Sequence, residues 1–356
     1  MKYVITAGGQ GTKLWPLSRE SKPKQFQNII GDQTLFKMNL NTLLTVIDPE
    51  DIIIQTKERY LDLVRADNKS VPEKNIILEP DFKNNRGPAD GLTMVWLDHH
   101  YPDQPFVLIQ SDCLRLPSER YLDTLKSIEE LLLKEQIFIT GGLKATRPDL
   151  GVDYLSLGEK LSEVNGINIY KISEFIPRSS DYAATKKLIQ NYNVSTHTNH
   201  NAYYPKKMLE AYKQYRPDWY QALMKIAQVL DDPDQVTAIY QTMESGATEE
   251  VTKHLFNSGA LVLLPFEWID VGTWDSIYQT LRHEQEEIYK DGQVVDIDSQ
   301  RSLVKANPDK LVALLGVEDL VVVDSDDVLL VADRHRSGDI GKVLARLEKP
   351  DLEKYL

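Results

Sequence analysis

The chain has 356 residues but only one cysteine, Cys113, and this scarcity limits the chemistry open to it. A single thiol cannot form a disulfide within the chain, and it cannot build a cysteine-based zinc site. Proteins of a reducing compartment are typically composed in this way, so we expect a cytoplasmic protein. The apolar run before Gly8 is also too short for a secretory signal, which agrees with that expectation.

Long apolar runs and an excess of positive charge are missing as well. The longest apolar runs, such as residues 311–317, fall far short of the roughly 20 residues of a membrane helix, so no membrane partner is expected. Acidic residues outnumber basic ones by 54 to 41, which gives a formal net charge of −13. This charge argues against nucleic acid as a partner. Any bound phosphate should therefore meet a small local group of cations and backbone amides.

The order of the apolar segments predicts an α/β fold. With 42% hydrophobic residues, the composition is that of a globular protein. Short runs rich in β-branched residues alternate with helix-like segments through the first part of the chain, which predicts a Rossmann-like, mixed, mostly parallel sheet with helices on both faces. Strands are expected near residues 3–7, 51–56, 75–80, 105–110 and 136–142.

The pattern changes twice further along the chain. Residues 143–258 are more polar and more helical, and a helix is predicted over 273–289. After about residue 290, short strands and turns follow, with a hairpin across 325–327 and a final helix. We therefore predict a large α/β domain over residues 1–290 and a small β-rich domain over 291–356. We detect no internal repeat.

The most informative segment follows the first predicted strand, where Gly8, Gly9 and Gly11 stand together. Ligands bind at this edge of open α/β sheets, and glycines there allow backbone N–H groups to approach phosphate oxygens. Four cations follow closely, namely Lys13, Arg19, Lys22 and Lys24. The combination indicates a polyphosphate ligand, and the alternative is an ordinary glycine turn.

Two common phosphate-binding motifs do not match this segment. A Walker A loop requires Gly-Lys followed by Ser or Thr, and no such sequence is present here. A dinucleotide fingerprint beginning at Gly9 would need a third glycine where Leu14 stands. A nicotinamide-dependent oxidoreductase is therefore disfavoured.

Residues 7–26, AGGQGTKLWPLSRESKPKQF, resemble the signature of the sugar-phosphate nucleotidyltransferases, G-G-x-G-T-[RK]-L-x-P-L-[ST] followed by P-K. In its longer form the segment is similar to that of the mannose-1-phosphate guanylyltransferases. Weaker similarity continues along the chain, in LEP with Asn84, in VLIQSDCL (107–114), in WIDVGTWDS (268–276) and in residues 326–347. The resemblance implies the nucleotidyltransferase fold over residues 1–290.

The resemblance also implies a reaction. An oxygen of mannose 1-phosphate would attack the α-phosphorus of GTP in the presence of Mg²⁺, giving GDP-mannose and pyrophosphate. Asp112 and Asp270 stand where the family holds its metal. From the residues alone, an Asp at a strand end is more often a turn or helix cap, and the resemblance changes that preference to a metal ligand.

Further roles are implied for the glycine loop and its cations. Nucleotide phosphates would contact Gly8, Gly9, Gly11, Thr12 and Lys13. Lys13 would face the pyrophosphate, and Lys24 would neutralise the attacked phosphate. Arg19 matches the family too, although a structural salt bridge explains it nearly as well. We interpret Trp15 and Phe26 as core residues and Cys113 as a buried, inert thiol.

The sugar half departs from the family pattern. The F-x-E-K-P segment is FIPR (175–178), so Arg178 is left to supply the positive charge. The W-N-x-G segment is HTNH (197–200), in which Asn199 is a weak candidate for sugar-phosphate binding, and T-G-Y-G-Y is LGVDY (150–154). Three alternatives remain open: another hexose 1-phosphate as substrate, a slow mannose enzyme, or a non-catalytic subunit that binds a nucleotide sugar.

Two further features allow more than one interpretation. His197 and His200 have the spacing of a metal-binding pair, but no helix with a third ligand is predicted, so we interpret them as residues of a polar loop. The hydrophobic C-terminal strands would suit pairing with a second copy, which makes a homodimer possible.

Overall fold

A computed structural model describes residues 1–9, 11–82, 86–282 and 287–356, without the side chain of Thr12. Asn84 therefore lies outside the described residues, as do residues 283–286 of the predicted helix over 273–289. The described chain forms two compact units. Unit 1 comprises Met1–Gly8, Leu40–Gln110 and Arg115–Trp268, and unit 2 comprises Gly9–Asn39, Ser111–Leu114 and Ile269–Leu356. Each unit is built from several segments, and the domain boundary near residue 290 stays a prediction.

Strands and helices of ordinary length make up the described chain. The strands are β1 (Lys2–Thr6), β2 (Ile52–Lys57), β3 (Ile76–Glu79), β4 (Phe106–Gln110), β5 (Cys113–Leu116), β6 (Ile139–Lys144), β7 (Tyr154–Val164), β8 (Ile167–Ile176), β9 (Val194–His197), β10 (Ala202–Tyr203), β11 (Ala260–Leu263), β12 (Glu267–Asp270), β13 (Ile288–Asp291), β14 (Gln293–Ile297), β15 (Ser302–Lys305), β16 (Leu311–Leu315), β17 (Leu320–Asp324) and β18 (Leu329–Asp333). The helices are α1 (Leu35–Leu44), α2 (Leu61–Asp67), α3 (Arg86–His100), α4 (Ser118–Glu135), α5 (Tyr182–Asn191), α6 (Pro205–Tyr215), α7 (Pro217–Ile226), α8 (Pro233–Tyr240), α9 (Glu249–Thr252), α10 (Trp274–Leu281) and α11 (Ile340–Leu347).

Unit 1 contains one mixed sheet in the order β11-β8-β7-β9-β6-β10-β4-β1-β2-β3. The pairs β1–β2, β1–β4 and β2–β3 are parallel, as the alternation in the first part of the chain predicts. β1 is buried along its whole length, as is typical of a parallel strand covered on both faces. The α/β fold class with a mixed sheet is therefore confirmed. The expectation that the sheet is mostly parallel is not met, because six of its described strand pairs are antiparallel and four are parallel.

The middle of the chain holds more strand than the sequence predicts. The segment interpreted as mainly helical contains the long antiparallel hairpin β7–β8, whose pairing is interrupted by register shifts. Strands β9 and β10 add further antiparallel pairs to β6 and β4. β7 begins with buried Tyr154 and Leu155, and its later residues are partly or fully exposed and largely polar. Without a regular alternation of apolar and polar residues, the segment resembles a loop or a polar helix.

Unit 2 combines the glycine loop with a C-terminal stack of short strands. β13, β15 and β17 pair in parallel, β14 pairs in parallel with β16, and β18 turns back against β17. The predicted hairpin is confirmed by the β17–β18 pair, and Ser325 N–H donates to the carbonyl of Val328 across its turn. Buried Trp15, Trp274 and Tyr278 belong to the main apolar cluster of this unit, and Phe26 is buried as well.

One predicted helix is too long. α10 ends at Leu281, the next residue has extended backbone, and β13 begins at Ile288. The acidic run before Ile288 has helical propensity, but Ile288 is buried beside Val304 and Val322 in the parallel stack. Burial of the strand outweighs a weak local preference. Within the part of the chain that the structure describes, no helix is both long and apolar enough to cross a membrane.

Candidate active site

The central feature of unit 2 is a lysine held between two carboxylates. Lys24 Nζ lies 2.9 Å from Asp112 Oδ2 and 3.2 Å from Asp270 Oδ1. The lysine side chain is only 6% exposed, whereas those of Asp112 and Asp270 are 41% and 54% exposed. The carboxylates thus present oxygens to solvent while the ammonium lies beneath them. We call these three residues the carboxylate–lysine cluster.

Strand ends and one short turn bring the cluster together. Asp112 immediately precedes β5 and Asp270 is the last residue of β12, and these two strands pair with each other. Lys24 begins a 3₁₀ turn, Lys24–Phe26, directly after Pro23. Two acids that are far apart in sequence therefore meet at one lysine.

The segment after Asp270 fixes the position of its carboxylate. A Cβ atom on Gly272 would lie 2.9 Å from Asp270 Oδ2, so a side chain at this position would require the carboxylate to shift. Thr273 then caps α10 in a reciprocal arrangement with Ser276, since each side chain bonds the backbone N–H of the other. The V-G-T-W sequence thus ends a strand and begins a helix within four residues.

Charge within the cluster shifts two pKa values. Burial by itself would raise the pKa of Asp112, but the Lys24 ammonium and its hydrogen bond outweigh burial and lower it. Burial would likewise lower the pKa of Lys24, but Asp112 and Asp270 outweigh it and raise that pKa. The lysine is therefore a fixed positive charge and Asp112 a fixed negative one at neutral pH.

In unit 2 the glycine loop, described at Gly9 and at residues 11–13, packs against the segment that contains the same lysine. Gly11 has φ +53°, and a Cβ atom on it would lie 2.7 Å from Lys24 Cβ and 3.0 Å from Lys24 N. The next residue after Lys24 holds the loop from the other side, because Gln25 Nε2 donates to the carbonyl of Gly9 at 2.8 Å. A Cβ atom on Gly9 would meet nothing within 4 Å, so the backbone there is open to a ligand.

Trp15 and Trp274 connect the loop to the C-terminal part of unit 2. The indole N–H of Trp274 donates to the carbonyl of Trp15 at 3.1 Å, and the indole N–H of Trp15 donates to the carbonyl of Tyr355 at 2.8 Å. Both tryptophans are buried, which confirms Trp15 as a core residue. These bonds fix the backbone that leaves the glycine loop.

Gly8 belongs to unit 1 and lies against a buried carboxyl group. A Cβ atom on Gly8 would lie 2.9 Å from Glu79 Oε2. Glu79 also accepts hydrogen bonds from Gln55 Nε2 at 3.1 Å and from the Tyr240 hydroxyl at 2.9 Å. Burial raises the pKa of Glu79 to about 7, against opposing effects of Lys57 and Tyr240. Glu79 is the acid of the LEP segment (78–80), and no role was predicted for it from the sequence. The family pattern is the one sequence signal that singles this residue out.

The other predicted loop residues have varied surroundings. Lys13 is exposed in the turn Thr12–Leu14, and the side chain of Thr12 lies outside the description. Arg19 forms an ion pair with Asp327, with Nη1 2.9 Å from Oδ2. This contact supports the structural salt bridge as the explanation of Arg19. Cys113 is buried, as expected.

The residues predicted for the sugar phosphate lie in unit 1. Arg178 Nη1 donates to the carbonyl of Gly151 at 3.2 Å, and Arg178 Nε lies 3.6 Å from Asp153 Oδ1. Asn199 has φ +54°, and its carbonyl accepts a hydrogen bond of 2.7 Å from Gln110 Nε2. Nothing in these contacts tests sugar-phosphate binding, so both assignments stay predictions.

The donor set of the carboxylate–lysine cluster suits a hard cation. Asp112 and Asp270 offer only carboxylate oxygens, and both side chains are partly exposed. Mg²⁺ prefers oxygen ligands, is commonly held by one or two carboxylates and completes its shell with water and substrate phosphates. The two residues predicted as metal ligands are thus adjacent and chemically suitable.

Comparison with known proteins agrees with this geometry. A family model described as nucleotidyl transferase matches residues 2–152, and one described as a mannose-phosphate isomerase/GMP-like beta-helix domain matches residues 292–347. The second match accounts for the parallel strand stack of unit 2.

Curated relatives cover nearly the whole chain. The mannose-1-phosphate guanylyltransferase of Klebsiella pneumoniae is 25% identical over 362 residues, covering 99% of this chain and 75% of the relative. That of Escherichia coli K12 is 26% identical over 358 residues, covering 97% and 73%. The alginate biosynthesis protein AlgA of Pseudomonas aeruginosa is 25% identical over 350 residues, covering 97% and 72%.

A solved structure has the same fold. A crystal structure from Thermus thermophilus, named mannose-1-phosphate geranyltransferase, superposes with a TM-score of 0.86 at 24% identity, covering 98% of this chain and 99% of that one. The fold and the glycine loop define a sugar-phosphate nucleotidyltransferase, which is an enzyme class. Within that class, the chain is similar over nearly its whole length to proteins named mannose-1-phosphate guanylyltransferase.

Proposed function

We propose that this protein transfers GMP from GTP to mannose 1-phosphate, giving GDP-mannose and pyrophosphate. The observation that carries the proposal is Lys24 held between Asp112 and Asp270 beside the glycine loop in unit 2. The names of the relatives supply the substrates, and they favour this reaction over the two alternatives of another hexose 1-phosphate or a non-catalytic subunit.

The reaction needs positioning and charge neutralisation rather than a protein nucleophile. A phosphate oxygen of mannose 1-phosphate forms the new bond to the α-phosphorus of GTP, and the bond from that phosphorus to the bridging oxygen breaks. Pyrophosphate leaves with the electron pair, and the attacking oxygen is already anionic, so no base is required. Holding the two anions in line contributes most of the acceleration.

Roles for the residues of unit 2 follow from this chemistry. Backbone N–H groups of Gly9 and Gly11 would contact nucleotide phosphates, with the hydroxyl of Thr12 beside them. The exposed ammonium of Lys13 would stabilise the departing pyrophosphate. Lys24, fixed as a buried cation, would neutralise the attacked phosphate. For Gly8, the last residue of the first segment of unit 1, the proposed role is also a backbone contact with a nucleotide phosphate.

The metal assignment follows the same cluster. Nucleotidyltransferases of this family use a divalent metal, and Asp112 and Asp270 are the residues that would hold Mg²⁺ here. Bound Mg²⁺ supplies further neutralisation of phosphate charge. In unit 1, Arg178 and Asn199 remain the proposed contacts for the sugar phosphate, and the replaced motifs around them predict a rebuilt sugar pocket.

Pyrophosphate release tests the proposal directly. Purified protein is mixed with Mg²⁺, GTP and mannose 1-phosphate, and ATP, UTP, dTTP, CTP and glucose 1-phosphate serve as alternative substrates. We expect release with GTP and mannose 1-phosphate, its loss in Asp112→Ala, and its retention in the matched variant Asp351→Ala, which alters an exposed acid near the C-terminus. Release only with another pair would correct the substrate, and no release from any pair would overturn the enzymatic proposal.

Two further features of the protein are proposed on narrower grounds. A homodimer is supported by apolar side chains on the strand stack, since Ile297 and Leu315 face each other across β14–β16 and are 56% and 72% exposed. Sedimentation should report a dimer, and Leu315→Asp should weaken it. The domain boundary near residue 290 and the cytoplasmic location stay predictions, which rest on the sequence pattern and on the single cysteine.

A further inference from the structure

Unit 1 contains a second group of metal-ligating side chains, separate in sequence from the carboxylate–lysine cluster. One ligand atom each from Asp153, His197 and Glu249 lies within 4.8 Å of the other two. His197 is buried, while Asp153 and Glu249 are partly buried. We call these residues the histidine–carboxylate cluster.

Hydrogen bonds fix the tautomer of the histidine. The Thr140 hydroxyl donates to Asn201 Oδ1 at 2.7 Å, so it can only accept from His197 Nε2, which lies 3.0 Å away. The imidazole therefore carries its proton on Nε2, and Nδ1 is left with an available lone pair. Metal-binding histidines generally donate their other ring N–H to an acceptor that fixes the orientation of the ring, and the Thr140 hydroxyl supplies such an acceptor here.

Backbone contacts fix Asp153 beside the histidine. The backbone N–H of His197 donates to the carbonyl of Asp153 at 2.8 Å. The backbone N–H of Arg178 donates to Asp153 Oδ1 at 2.8 Å, which leaves Oδ2 as the oxygen for a cation. The guanidinium of Arg178 is 59% exposed and its Nε lies farther from Oδ1, at 3.6 Å, so it neutralises the carboxylate only weakly.

The same residues mark where the sequence leaves its family pattern. Asp153 stands in the altered T-G-Y-G-Y segment, His197 in the altered W-N-x-G segment and Arg178 in the altered F-x-E-K-P segment. Three departures that are separate in sequence thus meet at one carboxylate. Contacts shared through Asp153 explain the three sequence changes together, whereas three unrelated substitutions would not be expected to meet at one residue.

His200, the other histidine of the predicted pair, does not join this cluster. Its Nε2 accepts from Arg115 Nε at 3.0 Å, and its Nδ1 bonds the Thr198 hydroxyl at 2.9 Å. Both ring nitrogens are therefore occupied. His200 lies in the loop after β9, as the polar-loop interpretation expects. His197 is the last residue of β9, and its neighbours are Asp153, directly before β7, and Glu249, the first residue of α9.

We propose that Asp153, His197 and Glu249 bind one divalent transition-metal ion, with Zn²⁺ as the preferred ion. A neutral imidazole with two carboxylates is a mixed nitrogen and oxygen donor set, which suits Zn²⁺ better than Mg²⁺ or Ca²⁺. The two negative charges balance the charge of the ion. Three protein ligands leave a fourth position for water or a ligand, and the ion would tie the start of β7 to the end of β9 and to α9.

Calorimetric titration with ZnCl₂ tests the proposal on the full-length protein. The protein is first treated with EDTA and desalted, and the titration is run in excess Mg²⁺ to occupy oxygen-only sites. We expect one Zn²⁺ per chain in the wild type, and affinity at least about 100-fold weaker in Glu249→Gln and in His197→Asn. Co²⁺ titration should give a visible absorption band that both variants lose.

Matched variants separate this site from other metal-binding groups. Glu210→Gln and His254→Asn alter an exposed acid and an exposed histidine elsewhere in unit 1 and should retain wild-type affinity. Asp112→Asn should also retain it, because Asp112 belongs to the carboxylate–lysine cluster. Wild-type affinity in Glu249→Gln, no tight binding in the wild type, or loss of binding in Asp112→Asn would each overturn the proposal. If His197→Asn fails to fold by circular dichroism, the partly exposed Glu249→Gln and Asp153→Asn decide the result.

Discussion

Gly11 packs its α-carbon against the backbone of Lys24, so closely that a methyl group on Gly11 would lie 2.7 Å from Lys24 Cβ. The contact joins the two halves of the proposed catalytic apparatus in unit 2. The loop that would hold phosphates and the lysine that would neutralise them cannot move independently at this point.

Gly11→Ala should therefore reduce activity more than its backbone strain alone explains. Gly31 provides the matched control, because it also has positive φ, +68°, but a Cβ atom there would meet nothing within 4 Å. Each alanine should cost about 1 kcal/mol of stability from left-handed backbone. Only Gly11→Ala should also lower kcat/KM, by about 100-fold. The added methyl group would push the glycine loop away from Lys24 and misplace the phosphates relative to the lysine. Equal kcat/KM in the two variants would show that the close approach is without consequence.

Lys24→Met should remove the proposed catalytic cation and leave Asp112 and Asp270 facing each other. We expect kcat to fall by about 1,000-fold, since charge on the transferred phosphate would lose its fixed partner. Steady-state kinetics at saturating Mg²⁺ would measure the effect. Lys349→Met, an exposed lysine in the C-terminal segment, is the control and should behave as the wild type. Activity of Lys24→Met within a few-fold of the wild type would rule out this role.

Arg19→Ala distinguishes a structural salt bridge from phosphate binding. The ion pair with Asp327 is partly exposed, with 44% of the aspartate side chain accessible, so its loss should cost no more than about 1 kcal/mol. Substrate KM should stay unchanged. A double-mutant cycle with Asp327→Ala would isolate the pair, and a large rise in the KM for GTP in Arg19→Ala alone would instead assign the guanidinium to the nucleotide.

Glu79→Gln should flatten the pH dependence of stability. The carboxyl has a pKa of about 7 in the folded protein against 4.5 ordinarily, so between these pH values the folded chain holds a proton that the unfolded chain has lost. Stability from this group is thus fully present below about pH 4.5, and it falls by roughly 2–3 kcal/mol between pH 5 and pH 8.

Urea denaturation at both pH values would measure that change. His197 and His200 act in the opposite sense, because burial lowers both pKa values and their neutral forms stabilise the fold only above about pH 6.5. The comparison is therefore between Glu79→Gln and the wild type at each pH, where the histidine effects cancel. A constant difference between the two proteins from pH 5 to pH 8 would contradict the shifted carboxyl.

The parallel part of the fold was predictable because its signals are local. Each of β1, β2 and β4 is a short buried run rich in β-branched and aliphatic residues, β3 is a similar run that is partly exposed, and such runs alternate with helices. The β7–β8 hairpin carries no comparable signal. The short strands after residue 290 were predicted, but their parallel stacking was not. The stacked strands QVVDI and LVALL pair in parallel but share too few residues to register as a repeat.

The parts of the site that could be predicted are those formed by residues close in sequence or matched by the family pattern. The glycine loop is contiguous, and Asp112 and Asp270 both follow apolar runs, so their types and strand-end positions could be anticipated. That one lysine lies between both acids depends on the pairing of β5 with β12, which no local pattern contains. The approach of Glu249 to His197 is equally non-local, and the interpretation of both histidines as polar-loop residues did not anticipate it.

The division of unit 2 among three segments has a consequence for biosynthesis. Residues 9–39 are synthesised long before residues 269–356. The contacts of this early segment with Asp270 and with Trp274, which donates to the Trp15 carbonyl, can therefore form only late. Unit 2 is therefore completed late in synthesis, after most of unit 1 has emerged. A nascent chain stalled before this point would expose an apolar, glycine-rich segment to chaperones, and the proposed nucleotide site would be complete only once residues 269–356 have emerged.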